Sequence, residues 1–389
     1  MFIILDSIKF KVALIILIII FGLSLAFVSN YGPDNDTYAM ISTFNLLVNG
    51  GGYNPSRFTG YPVAEVFIGF LSFHFGSWLL NSLSLLFIIF STVLITKLFI
   101  SPLPMKQRLN FTLMVISNPV IFFDNLMPMD YSLAILFLSL GMYFYAGNRI
   151  ILSLVCFSLS AGTRPISLLF VLVFILLYNS KQNKTKLEVF EYLSGVVFFS
   201  ALFYVPVWFQ NSLTLDWVTS ARPLNQGLIG LFARFFYKSY YAFGFLSAPV
   251  IAYIFFRYVK VLRAVPNFKL IISIIVLNLF VFLYIPAERS YLQLGIVFTL
   301  LLISFIQNRI LNLIFLGNLI SWLLIFQPFQ FEMRYPGKCS TVEAVGMQLR
   351  PTITPGEFFI FREGQRKFDC FNESIDNQNF KFQTGGKLK

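Results

Sequence analysis

The sequence predicts an all-α, polytopic membrane protein, and three observations predict it. The 389-residue chain is 57% hydrophobic and only 12% charged, whereas a soluble domain carries about 25% charged residues. Apolar runs of roughly 15 to 25 residues recur along the chain, the length that a helix needs to cross a bilayer. Lysines and arginines gather between those runs, as they do where they set membrane topology.

The net charge of +12 raises the alternative of a nucleic-acid-binding protein. The cations lie in short stretches between apolar runs, so we interpret them as topology signals and predict the bilayer, not nucleic acid, as the partner. The single histidine, His74, excludes a His-rich metal site. Cys156 lies inside an apolar run and is typical of a small core residue.

The first apolar run, 12–28, follows Lys9 and Lys11. It is long, and no small-residue cleavage pattern follows it, so we predict a retained helix and not a signal peptide. With the N-terminus in the cytoplasm, this helix places a first loop, 29–62, outside. The chain is then a multi-pass protein, expected in the inner (plasma) membrane of a bacterium.

The next strong run, 78–100, leads to cations that favour the cytoplasm, Lys97, Lys106 and Arg108. The preceding segment, 62–75, would rise only about 21 Å against a hydrocarbon core of about 30 Å. We therefore predict a re-entrant or interfacial helix there, with a crossing helix as the alternative.

The run 150–178 exceeds one ordinary span and contains Thr163-Arg164-Pro165. Proline breaks helices, and an arginine at mid-bilayer costs about 3 kcal/mol, so two short helices meeting at an outer Arg164 are predicted. An outer loop is expected over 209–240. About eleven spans result, and the others are 109–123, 131–146, 189–208, 241–256, 270–285, 290–306 and 310–327.

The predicted organisation is a transmembrane domain over 1–327 and an extracytoplasmic tail over 328–389. In the tail, Cys339 and Cys370 either pair in an oxidising compartment or stay free. The topology, which was oriented on cations between the runs, puts the following residues on the outer face: Asp34, Asp36, Arg57, Asp124, Asp130, Arg164, Asp216, Glu288 and Arg289.

Asp34 and Asp36 stand one residue apart directly after the first helix. Such carboxylates could supply a general base for an acceptor hydroxyl, or hold a divalent cation, Mg or Mn, near a phosphate. The alternative is a solvated turn in which Asp36 caps the next helix. Whether a metal is needed is left open.

Six further residues are candidates for substrate binding. The planar fork of Arg57 suits a phosphate, and a buried Arg164 needs an anionic partner. Tyr61 could stack on a sugar ring or belong to an interfacial aromatic belt. The alternatives for the others are structural: Asp130 begins a helix, where a carboxylate is favourable in any case, and Glu288–Arg289 could be a local ion pair.

Taken together, these motifs resemble the GT-C superfamily of integral-membrane glycosyltransferases, which use polyprenyl-phosphate-linked sugars as donors. The likeness runs from about residue 10 to 305, and five segments carry it: Gly32-Pro33-Asp34-Asn35-Asp36-Thr37-Tyr38, Ser56-Arg57-Phe58-Thr59-Gly60-Tyr61-Pro62, Asn118-Pro119 with Met127-Pro128-Met129-Asp130, Ala161-Gly162-Thr163-Arg164-Pro165, and Pro286-Ala287-Glu288-Arg289-Ser290-Tyr291-Leu292.

The resemblance implies a helical bundle that transfers a hexosyl or pentosyl group, as mannosyl- and arabinosyltransferases do, with inversion. By it, Asp36 is the catalytic base with Asp34 second, Arg57 and Arg164 hold the carrier phosphate, and Asp130 shapes the site. The sugar and the acceptor, whether glycan, lipid or protein, are not specified. The family often has a large soluble C-terminal domain, whereas this chain has a short tail.

Three alternatives stay open. A polysaccharide polymerase or ligase would share the lipid-linked substrate but places its large outer loops later in the chain. A transporter or lipid flippase predicts charges in mid-helix and internal repeats, which the sequence lacks. A membrane scaffold would have no transfer activity.

Overall fold

The computed structural model describes residues 7–32, 35–57, 59–179, 185–210, 228–284, 289–306, 310–323, 325–329 and 348–352. Of the sequence-based candidates, Asp34, Asp216, Glu288, Cys339 and Cys370 lie outside these residues, as does most of the tail.

Helices form nearly all of the described chain. In order they are α1 (Ile8–Val28), α2 (Asn35–Val48), α3 (Pro62–Phe99), α4 (Met105–Ser117), α5 (Pro119–Asp124), α6 (Asp130–Ala146), α7 (Ile150–Thr163), α8 (Ser167–Asn179), α9 (Lys186–Phe203), α10 (Val205–Gln210), α11 (Leu228–Ala242), α12 (Ser247–Arg263), α13 (Phe268–Tyr284), a 3₁₀ helix (Arg289–Leu292), α14 (Gln293–Ile303) and α15 (Ile310–Leu323).

The predicted all-α bundle is confirmed. A short antiparallel strand pair follows it, β1 (Ile325–Phe329) with β2 (Gln348–Thr352), in which Ile325 lies opposite Thr352. The last described helix ends at Leu323. The predicted division between a transmembrane domain, 1–327, and a tail, 328–389, stays a prediction.

The core surrounds α14, every residue of which is buried. An apolar helix without a polar face is expected at the centre of a bundle. Around it, α6 packs against α3 and α7, and α13 packs against α8 and α14. Many large apolar side chains point outward, among them Ile151 (79% exposed) and Phe256 (86% exposed). Such an outer surface suits lipid better than water.

By length and composition, two of the described helices could each cross a membrane, Ile8–Phe27 and Pro62–Phe99. A third candidate span is a pair bent by 95°, Ile229–Ala242 with Ser247–Arg263, and six shorter apolar helices accompany them. The count of about eleven spans stays a prediction.

Several predicted breaks are found where local chemistry places them. Arg164 has the extended φ of −148° and ψ of 116°, because the residue before a proline is kept out of the helical region. Gly76 divides α3 with a φ of +74°, close to the predicted boundary between 62–75 and 78–100. Whether the first part of α3 is re-entrant stays a prediction.

Two expectations need correction. The outer loop predicted over 209–240 is wrong for its last part, because α11 occupies Leu228–Ala242. That stretch is rich in aromatic side chains, and α11 packs against the 3₁₀ helix and α13. The run 109–123 is not one helix: Asn118 interrupts it, and its side-chain oxygen accepts a hydrogen bond from the amide of Ile121, 3.1 Å away, at the start of α5.

Close packing of α6 on α7 gives a first testable prediction. A Cβ added at Gly141 would lie 2.4 Å from the ring of Phe157, which is fully buried. We expect Gly141→Ala to destabilise the protein by about 1–3 kcal/mol, because a packed core accommodates extra atoms poorly. Thermal unfolding in detergent measures this. Gly147→Ala is the control, since a Cβ there has contacts no closer than 3.5 Å, and equal stability of both variants would contradict the packing.

Candidate functional site

A chain of ion pairs forms at the N-terminal ends of α2, α3 and α6. Arg57 Nη2 lies 2.9 Å from Asp36 Oδ2, and Arg57 Nη1 lies 3.6 Å from Asp130 Oδ2. The same Asp130 oxygen lies 3.1 Å from Arg164 Nη1. Four side chains that are far apart in sequence therefore alternate in charge within one cluster, which we call the charge cluster.

Burial increases along the charge cluster. The side chain of Asp36 is 42% exposed, that of Arg57 is 15% exposed, and Asp130 is fully buried. Asp130 Oδ1 has no hydrogen-bond partner among the described residues. A buried carboxylate needs compensating charge, and two guanidinium groups supply it here.

Both arginines stay protonated at any working pH. Burial by itself lowers the pKa of Arg57, but the carboxylates of Asp130 and Asp36 raise it by more, to well above the usual value. The cluster thus contains two fixed positive charges and at least one carboxylate held between them.

Tyrosine rings surround the guanidinium group of Arg164. Its Cζ lies 3.8 Å from the ring centre of Tyr131, 4.5 Å from that of Tyr291 and 5.7 Å from that of Tyr61. Arg57 Cζ also lies 4.5 Å from the Tyr61 ring. Cation–π contacts of this kind stabilise a charged group that has lost its water.

The polypeptide holds each of these residues by local structure. Asp36 lies in the first turn of α2, and Asp130 begins α6 after Met127-Pro128-Met129. The hydroxyl of Thr37 donates to the carbonyl of Pro128, 3.4 Å away, which ties these two helix starts together. Arg164 lies between α7 and α8, where Pro165 ends the helix.

An apolar recess opens beside Arg164. Its volume is about 430 Å³, including the space at its open mouth. Its polar lining groups come from Arg164, Tyr131, Tyr291, Ser167 and Asn278, and the remaining lining side chains are apolar: Ala134, Ile135, Leu138, Ile166, Phe170, Val281 and Leu294. A cation at the edge of an apolar recess can bind an amphiphile with an anionic head.

The structure brings together most of the residues that the sequence singled out. Asp36, Arg57, Tyr61, Asp130 and Arg164 converge as expected. Asp34 and Glu288 lie outside the described residues, and the side chain of Arg289 is not described, although its backbone begins the 3₁₀ helix.

Three residues near the cluster were missed as site residues. Tyr131 and Tyr291 contact Arg164, and Glu65 is fully buried beneath the loop that carries Arg57. Glu65 could have been found, because it is the single acidic residue in the apolar sequence 62–99. Nothing in the local sequence sets Tyr131 and Tyr291 apart from the other tyrosines.

Neither protein-family models nor curated proteins match this chain. Solved structures, in contrast, do match it. A crystal structure of ArnT from Cupriavidus metallidurans bound to undecaprenyl phosphate matches with a TM-score of 0.54 at 14% identity, over 75% of this chain and 59% of ArnT. The apo state of the same protein matches with a TM-score of 0.54 at 15% identity and the same coverage.

The chain spans about three fifths of the length of ArnT, a GT-C glycosyltransferase. At this level of identity the likeness establishes the fold. The expected GT-C-like architecture is therefore confirmed.

Proposed function

We propose that this chain, which has the GT-C fold, is a membrane glycosyltransferase that transfers a sugar from a polyprenyl-phosphate-linked donor to an acceptor hydroxyl. One observation carries the proposal: the buried Arg164 lines an apolar recess, and Asp130 bridges it to a second arginine, Arg57. A lipid phosphate presents the matching chemistry, an anionic head on an apolar chain. ArnT, which shares the fold, has been crystallised with undecaprenyl phosphate.

In this proposal the donor lies with its phosphate against Arg164 and Arg57 and its lipid chain along the recess. The guanidinium groups form charge-assisted hydrogen bonds to the phosphate oxygens. The starts of α2, α3, α6 and α8 lie nearby, and their helix dipoles add positive potential. Asp130 holds the two arginines at a fixed separation without neutralising both.

Asp36 is the proposed base. It accepts the proton of the acceptor hydroxyl, whose oxygen attacks the anomeric carbon while the bond from that carbon to the phosphate oxygen breaks. The electron pair leaves on the lipid phosphate, and the arginines stabilise the developing charge. Attack opposite the leaving group inverts the anomeric centre.

Donor binding is coupled to the base in this arrangement. Without donor, the carboxylate of Asp36 is paired with Arg57 at 2.9 Å and is not free to approach an acceptor hydroxyl. A phosphate that takes over the guanidinium of Arg57 releases Asp36 to accept a proton. The acceptor hydroxyl would therefore be activated only when the donor is present.

Mg or Mn, which the Asp34–Asp36 pair could hold, remains a proposal. The described residues contain no group of three or more His, Cys, Asp or Glu side chains placed for a metal ion. Asp36 is engaged by Arg57, and the arginines already supply positive charge beside the proposed phosphate position.

The remaining features of the proposal come from the predicted topology and from the resemblance to the GT-C superfamily. Transfer takes place on the extracytoplasmic face of a bacterial inner membrane, where the topology puts Asp36, Asp130 and both arginines. The acceptor is a glycan, lipid or protein hydroxyl of the cell envelope, and the transferred sugar is a hexose or pentose.

Binding of undecaprenyl phosphate to the purified protein in detergent tests the proposal. We expect Arg57→Gln to weaken binding about 10- to 100-fold, because a hydrogen bond to a charged group contributes about 1.5–3 kcal/mol. Arg149→Ala is the control, since Arg149 is exposed between α6 and α7 and outside the charge cluster. Equal binding by Arg57→Gln and the wild type would contradict the assignment of the phosphate site.

A further inference from the structure

A buried carboxylate that the proposed reaction does not use lies directly beneath the loop 53–61. Glu65 is in the first turn of α3 and is 0% exposed. No ion pair to it is found among the described residues, although a buried carboxylate requires compensation. Its four hydrogen bonds, and the positive end of the α3 dipole, provide that compensation.

All four hydrogen bonds come from the loop that precedes α3. Glu65 Oε1 accepts from the amide of Ser56 at 2.8 Å, the hydroxyl of Ser56 at 2.5 Å and the amide of Tyr61 at 3.2 Å. Glu65 Oε2 accepts from the hydroxyl of Tyr53. One carboxylate therefore fastens the loop at three positions.

The segment enclosed between Ser56 and Tyr61 carries Arg57. It forms a turn in which the amide of Gly60 donates to the carbonyl of Arg57, 2.9 Å away, and Gly60 has a φ of +67°. Since both ends of this turn are bound to Oε1 of Glu65, the Cα of Arg57 has little freedom. The Arg57 side chain then reaches Asp36 and Asp130 and stacks on Tyr61.

The hydrogen bond from Tyr53 to Glu65 is also protected against deprotonation of the tyrosine. Burial, together with the neighbouring Glu65 carboxylate, raises the pKa of the Tyr53 hydroxyl, so the hydroxyl keeps its proton and remains a donor. The start of the loop is fastened independently, because the hydroxyl of Thr43 on α2 donates to the carbonyl of Asn54, 2.7 Å away. The loop is thus held by α2 on one side and by Glu65 on the other.

We propose that Glu65 is a positioning residue for the transfer reaction: it holds the loop 53–61 so that Arg57 meets the donor phosphate and Asp36. Glu65 touches neither Asp36 nor the recess, so it acts through Arg57. For its effect on activity the proposal rests on the proposed function, whereas its effect on the loop does not.

The first test is independent of any substrate. Hydrogen–deuterium exchange of the purified full-length chain reports the amides of Ser56 and Tyr61. We expect Glu65→Ala to speed exchange in the segment 53–61 about tenfold, the effect of losing a hydrogen bond worth about 1.4 kcal/mol. Arg57→Gln is expected to leave this exchange as in the wild type, since the four bonds to Glu65 remain.

A matched control removes an equally buried side chain that makes several hydrogen bonds in another part of the helical bundle. Asn318 is fully buried, donates to the carbonyl of Met114 and the hydroxyl of Ser117, and accepts from the hydroxyl of Ser247. Asn318→Ala should lower stability without speeding exchange in the segment 53–61. Unchanged exchange in Glu65→Ala, or equal acceleration in Asn318→Ala, would overturn the proposal.

The second test measures transfer from a polyprenyl-phosphate-linked sugar. Glu65→Ala should reduce transfer about 100-fold, the cost of misplacing a binding group by about 1 Å. Glu65→Gln should lose less than about tenfold, because its amide oxygen can still accept the three bonds made to Oε1. The double variant Glu65→Ala/Arg57→Gln should be no slower than Arg57→Gln alone, since residues acting as one unit are not additive.

Additive losses in the double variant would overturn the positioning role, as would equal losses in Glu65→Ala and Glu65→Gln. If the wild type itself transfers no sugar from such donors, the proposed function fails, and the exchange experiment still decides whether Glu65 holds the loop.

Discussion

Asp36→Asn is expected to abolish sugar transfer while leaving the protein folded. Loss of a general base costs about 10²- to 10⁴-fold in rate. Asparagine has the shape of aspartate and its side-chain oxygen can still accept from Arg57, so the charge cluster keeps its geometry. The Asp36 side chain is 42% exposed, and its replacement therefore opens no cavity in the core.

Initial rates of transfer from a labelled donor, measured on membranes with equal amounts of protein, check this expectation. Glu191→Gln provides the control, because Glu191 is an exposed carboxylate on α9, outside the charge cluster. Neutralising it should leave the transfer rate unchanged. Wild-type rates in Asp36→Asn would remove Asp36 from the catalytic role.

Asp130→Asn is expected to have the largest effect on stability. Asp130 is fully buried between Arg57 and Arg164, and removing its charge leaves two buried guanidinium groups without their shared partner. Breaking a buried ion pair by neutralising one partner destabilises a protein by about 3–5 kcal/mol. Transfer should fall as well, because the arginines would no longer be held for the phosphate.

A double variant separates the two effects. In Asp130→Asn/Arg164→Gln one of the unpaired cations is also removed, so the double variant should unfold at a higher temperature than Asp130→Asn alone. It should still be inactive, because Arg164 is a proposed phosphate ligand. Thermal unfolding in detergent measures the first expectation. If Asp130→Asn were as stable as the wild type, Asp130 would not hold the charge cluster together.

The sequence predicts the separate charged groups of the site but not their contacts. Arg164 stood out because an arginine inside an apolar run needs a partner, and Pro165 located the helix break at which Arg164 lies. That Asp130 is this partner, and that Arg57 shares it, depends on how α3, α6 and α7 pack. Such long-range packing leaves no periodic signal in the chain.

The role of Glu65 illustrates a second limit. Its isolation in an apolar sequence could have drawn attention to it, but its four hydrogen bonds come from a loop whose conformation depends on Glu65 itself. Helix α11 was missed for a related reason, since polar and charged residues between its aromatic side chains are typical of a loop as well as of an amphipathic helix. The number of spans is equally underdetermined, because most of the helices are too short to identify by length.

The shared fold covers 75% of this chain and 59% of ArnT, so part of ArnT has no counterpart in the matched region. In the proposed function, the charge cluster and the recess are the parts of this chain that bind the lipid phosphate.

The most direct test of the proposed function is transfer of a radiolabelled sugar from polyprenyl-phosphate donors to the cell envelope. Membranes containing the wild-type protein are incubated with each labelled donor, and label is counted in the lipid, glycan and protein products after they have been separated from the donor by chromatography. We expect label to accumulate with at least one donor in the wild type and to stay at background in Asp36→Asn. Background counts with every hexosyl and pentosyl donor, or equal counts in the two proteins, would contradict transfer by this site.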